Sequence, residues 1–98
     1  MIAAKYQSNE IAVFERYNTI LASNGWPDVS FDLYSFERSA AVRQFISYSQ
    51  KDNWIDAYFE WMRGNLKAKP GYGFDWVIRK ETFLRAKEGN FAALQDAA

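Results

Sequence analysis

The chain has 98 residues, twelve basic and twelve acidic, with neither cysteine nor histidine. This length corresponds to one domain with modest surplus stability. The missing residue types exclude disulfides, thiolate nucleophiles, the usual zinc ligand sets and the commonest general base near neutral pH.

Charge is unevenly spread. Residues 1–62 carry five bases against eight acids, net −3, and residues 63–98 carry seven against four, net +3. That makes a dipolar chain, without the bulk positive charge of a nucleic-acid binder. Four Trp, six Tyr and eight Phe favour a dense, large-sided core, with some rings left over for partner contact. No run approaches membrane-spanning length, and MIAAKYQSNE lacks the apolar centre of a signal peptide. The expectation is a cytoplasmic protein.

Residues 1–8 read as a loose lead-in, with Ser8 placed to cap a helix over about 9–23. Val13, Phe14, Tyr17, Ile20 and Leu21 share one face of it, and Asn24-Gly25 is its stop. Trp26-Pro27 then opens a connector. The alternation in VSFDLY resembles a strand, but one strand among helices has no partner, so an extended segment packed on the helices is the preferred reading.

Ser35 is placed to cap a second helix over 36–48, with an apolar stripe of Ala41, Val42, Phe45 and Ile46. Asp52 or Asn53 caps a third, DNWIDAYFEWMRGN, which Gly64 ends. Trp54, Ile55, Tyr58, Phe59, Trp61 and Met62 form its wide apolar arc. NLKAKPGYG is a basic, turn-rich loop. The stretch GFDWVIRKETFLRAKEGNF then reads as a helical turn, a corner after Ile78, a helix from Lys80, a left-handed stop at Gly89 and a lock by Phe91. FAALQDAA can continue as frayed helix, with 92–98 a loose end. The expected fold is an all-α, small single-domain bundle of about four helices with an aromatic core and an extended connector after the first. Phe14, Tyr17, Leu21, Phe45, Trp54, Phe59, Trp76 and Phe83 are the expected core, with Trp54, Phe59, Trp76 and Phe83 central.

Chemistry-bearing clusters are few. Asp52, Asp56 and Glu60 recur every four residues, which a divalent ion would use. Without histidine or a second ligand set, a solvated helix face is the better reading, and no metal or cofactor is assigned. Arg63, Lys67, Lys69, Arg79, Lys80, Arg85 and Lys87, with Tyr72 and Trp76 interleaved, are candidates for a partner or for single-stranded nucleic acid, by phosphate contact and base stacking. Ordinary surface charge explains the same residues. Gly71-Tyr72-Gly73 lacks the strand and the GK[ST] ending of a phosphate loop. Arg38 and Arg43 are expected at the core edge, one of them paired with an acid of the third helix. No hydroxyl has a positioned base, so no catalytic residue is assigned and enzymatic activity is not expected.

Four blocks, IAVFERYNTIL (11–21), LYSFERSAAVRQF (33–45), WIDAYFEWM (54–62) and FDWVIRKETFLRAKEGNF (74–91), together resemble the C-terminal domain of phage and prophage replication proteins. Only the last block is specific; it is similar to FDW.I...NF.K..EGNY. Lys80 stands where a proline is common, and Thr82 where Asn is usual. The resemblance implies a non-catalytic role at a replication origin, binding the host replicative helicase, its loader or single-stranded DNA. Such proteins carry an N-terminal DNA-binding part with no counterpart in these residues. The expectation is therefore an excised domain or a stand-alone relative, and a stand-alone copy implies an inhibitor of the host partner or of another host system, including defence.

Overall fold

The computed structural model describes residues 4–89, and these are all-helical. Five α-helices follow in order: α1 (Ser8–Ile20), α2 (Phe36–Ile46), α3 (Trp54–Asn65), α4 (Phe74–Val77) and α5 (Lys80–Glu88). A 3-10 turn, Ala22–Asn24, closes α1. The Phe91 lock and the tail over 92–98 lie outside the described residues.

The stripe expected on α1 is the stripe that is buried: Val13, Phe14, Tyr17, Ile20 and, just beyond, Leu21. This face packs mainly against α3 and also against α2. The chain turns away at Gly25, whose φ of 98° lies in the left-handed region that glycine enters without a Cβ penalty. The start of α1 differs from expectation. Ser8 is already helical; Gln7 holds the N-cap position, with no side-chain cap bond. From residue 4 on, where the lead-in is described, it is not loose either, because Tyr6 is buried against Phe14 and Tyr34.

Helix α2 begins where its cap predicts, with the Ser35 hydroxyl accepting from the Arg38 amide at 3.2 Å. It ends at Ile46, two residues early. Helix α3 starts after Asn53, which adopts φ 58° and gives no side-chain cap bond. Gly64 does not end α3. The helix runs on to Asn65, and the chain leaves it by burying Leu66 in extended geometry. Glycine inside a helix costs only ~0.5–1 kcal/mol, and the apolar anchor two residues later, Leu66, outweighs it. The α4–corner–α5 arrangement matches the sequence pattern. Gly89 (φ 76°) stops α5, its amide bonded to the Ala86 carbonyl.

Phe14, Tyr17, Leu21, Phe45 and Phe59 are fully buried, joined by Trp26, Val42, Tyr58, Met62, Phe74, Val77 and Ile78. Phe45 is a hub, with the rings of Tyr48, Trp54, Tyr58 and Phe59 5.0–5.9 Å away. Trp54, Trp76 and Phe83 correct the expected list. They are partly buried and pack against the core from its edge. Trp54 and Phe83 meet edge-to-face at 5.4 Å where α5 crosses α3. Trp76 stacks on Tyr72 at 3.9 Å, beside Trp26. These three rings cover the buried residues from the edge of the core, and their outer edges stay wet.

Candidate partner-binding surface

Side chains of α1, of α2 and of Tyr6 before α1 pin the connector between α1 and α2 at successive points. The Tyr17 hydroxyl donates to the Pro27 carbonyl at 2.7 Å. The Asn18 amide clamps Val29 from both sides, donating to its carbonyl at 3.0 Å and accepting from its N–H at 2.9 Å. Arg38 donates to the Ser30 carbonyl at 3.3 Å. The Tyr6 hydroxyl accepts from the Ser35 amide at 3.0 Å and lies 3.4 Å from the Leu33 carbonyl as donor. Backbone groups that a neighbouring strand would satisfy are satisfied here by side chains. The strand-like alternation therefore forms no ladder, and no strand occurs among the described residues.

The alternation holds for two steps and then fails. Val29 is buried, and Phe31 stacks on Phe14 with centroids 5.1 Å apart. Leu33 should follow them inward. Instead the chain bends at residues 32–33, Tyr34 takes the inner place against Tyr6, and Leu33 stands 85% exposed. Three residues on, Phe36 opens α2 and is 66% exposed. Two large apolar side chains thus project from one bend beside a capped helix start. Asp32 and Glu37 are exposed beside them. Sequence reasoning missed both side chains, although α2 carries a usable signal. At about 100° per residue, Phe36 lies roughly 120° around the helix from the buried Val42, outside the stripe.

Ion pairs brace the frame. Arg38 holds Asp75 through two contacts, 3.0 and 2.7 Å, tying α2 to α4. Its guanidinium carbon also lies 5.9 Å from the centre of the Phe74 ring. Arg16 of α1 reaches Asp56 of α3 at 2.9 Å. Arg43 lies 3.9 Å from Glu10. The expected pairing of Arg38 or Arg43 with α3 is therefore corrected: the arginine that meets α3 is Arg16. Hydrogen bonding to Asp56 and to Asp75 raises the pKa of Arg16 and Arg38 respectively. Glu10, in the first turn of α1, is only 1% exposed. The Ser39 hydroxyl donates to its Oε1 at 2.6 Å, while Oε2 has no hydrogen bond.

The basic candidates are exposed but dispersed, with Arg79 and Lys80 lining depressions separate from that of Lys87. Arg79 and Lys80 share one with Asp75 and Glu81. Arg79 also lines a cleft with Asp28, Arg38, Asp75 and Trp76. Lys87 lies on a groove between α3 and α5, beside Lys51, Asp52, Trp54 and Phe83. Arg63 sits at the end of α3, Lys67 and Lys69 on the following loop, and Arg85 on α5, all exposed. Tyr72 is half-buried, and it and Trp76 turn a ring face to each other. Carboxylates stand among the cations in each depression. Asp56 of the acidic stripe is engaged by Arg16, and no metal-ligating cluster occurs among the described residues. None of their helices is long and apolar enough to cross a membrane.

Comparison with protein families, curated proteins and solved structures finds no match.

Proposed function

We propose that this chain is a non-catalytic protein-binding module of phage replication that engages a host replicative helicase or its loader. The observation that carries protein binding is the exposed pair Leu33 and Phe36 on a pinned connector. Covering two such side chains contributes ~1.5–3 kcal/mol each before association costs. The backbone beneath them is already held by Tyr6 and by the Ser35 cap, so docking orders little that is not already ordered. The replication setting comes from the motif likeness over residues 11–91, whose aromatic positions Phe14, Tyr17, Phe45, Phe59 and Phe74 share one core.

The test is direct binding of the purified chain to the purified helicase and, separately, to the loader, with and without nuclease. The expected result is nuclease-resistant binding to one of them, lost in the Leu33→Asp/Phe36→Asp double variant. Failure to bind either protein would refute the replication reading. Binding that disappears with nuclease would replace it with single-stranded DNA binding through the basic residues. A different host protein held through the same two side chains would make this an inhibitor of another system.

A further inference from the structure

We infer that the segment docking on Leu33 and Phe36 is a basic amphipathic stretch of the partner, with apolar side chains meeting these two and Lys or Arg meeting Asp32 and Glu37. The inference rests on the protein-binding reading above and names the chemistry of the partner. Among the described residues, three large apolar side chains are conspicuously exposed: Leu33, Phe36 and, at 40%, Leu84. Two of the three lie within one four-residue span. That span is flanked by acids on both sides, Asp32 before Leu33 and Glu37 after Phe36, both exposed.

The cations nearest in sequence do not cancel this charge equally. Arg38 is committed to Asp75 and to the Ser30 carbonyl. Arg43, the next in sequence, lies 3.9 Å from Glu10, and Lys5 precedes Tyr6, whose hydroxyl accepts from the Ser35 amide. Glu37 is held in place by the Ser35 hydroxyl, which donates to it at 3.3 Å. An apolar pair rimmed by carboxylates selects against acidic partners by like-charge repulsion and speeds encounter with basic ones.

Leu84 supplies the competing occupant. It lies on α5 with Lys80, Arg85 and Lys87 nearby, so a second copy of this chain carries a weak version of the same chemistry. Glu81 and Glu88 stand one turn either side of Leu84 and dilute that charge. The foreign segment is therefore the favoured occupant.

The test uses the full chain and two synthetic amphipathic peptides of identical apolar face, one with Lys at every polar position and one with Glu. Binding is read by fluorescence anisotropy and located by amide chemical shifts. The lysine peptide should bind and shift residues 32–37, and the glutamate peptide should not. Leu33→Asp should weaken the lysine peptide by about tenfold or more, the scale of one lost hot spot. Asp32→Lys/Glu37→Lys should reverse the preference, so that the glutamate peptide binds the variant. Equal binding of both peptides, or shifts confined to the α3–α5 groove, would overturn the inference. So would concentration-dependent self-association in sedimentation that Leu33→Asp abolishes, since the occupant would then be a second copy. Loss of charge preference with helicase or loader binding intact would sink this inference alone. A charge-selective patch on a chain that binds neither would sink only the replication reading.

Discussion

Replacing Phe45 with alanine tests the packing argument at its centre. The side chain is fully buried, and four rings surround it at 5.0–5.9 Å, drawn from α3 and from the turn that follows α2. Truncating a buried Phe removes its transfer free energy and leaves a cavity, together about 3–5 kcal/mol. Rings this large relax poorly into the gap, which places the expected cost in the upper half of that range. Phe45→Leu keeps most of the volume and loses mainly the ring–ring contribution, so it should cost about 1–2 kcal/mol. A chain of 98 residues has roughly 5–15 kcal/mol in total, so Phe45→Ala brings it near its limit. Urea unfolding followed by tryptophan fluorescence gives both values. A Phe45→Ala cost under about 1 kcal/mol at unchanged urea dependence would refute the hub.

Burial, with smaller effects from Asp28 and Asp75, pushes the Tyr17 phenol up to about 12 from its ordinary 10. The folded state thus holds this proton more tightly than the unfolded state. Its contribution is complete below pH 10 and is lost as pH rises through about 12, a loss of about 2–3 kcal/mol. Tyr17→Phe should flatten that part of the alkaline unfolding curve, and an unchanged curve would assign the slope elsewhere. Gly25→Ala forces a Cβ into φ 98° with open space around it. Strain alone should cost about 1–2 kcal/mol, read as a lower melting temperature without a change in fold. Leu33→Asp alters a side chain that touches little, so stability should move by under about 0.5 kcal/mol. A larger drop would show that Leu33 belongs to the fold and not to a docking surface.

The sequence by itself determined what depends on neighbours a few residues away. The apolar stripe of α1, the Ser35 cap, the left-handed stops at Gly25 and Gly89, and the corner between α4 and α5 were all legible. Each is set by backbone sterics or by periodicity inside one element. Tertiary structure decided what depends on which surfaces meet. Glu10 falls on the buried face of α1, three and four residues before Val13 and Phe14, and what its side chain meets there is decided by α2, whose Ser39 supplies a hydrogen bond. Arg16, and not Arg38 or Arg43, reaches α3, because α1 packs mainly on that helix. Trp54, Trp76 and Phe83 look like core residues by composition but lie at its edge, because Phe14, Tyr17, Phe45 and Phe59 already fill the centre. Leu33 follows Val29 and Phe31 in every local respect and still points outward. The Tyr6 hydroxyl, 27 residues earlier in the chain, lies against its carbonyl, and Tyr34 has taken the inner place. Burial is a property of pairs distant in sequence, and the candidate surface is what that pairing leaves uncovered.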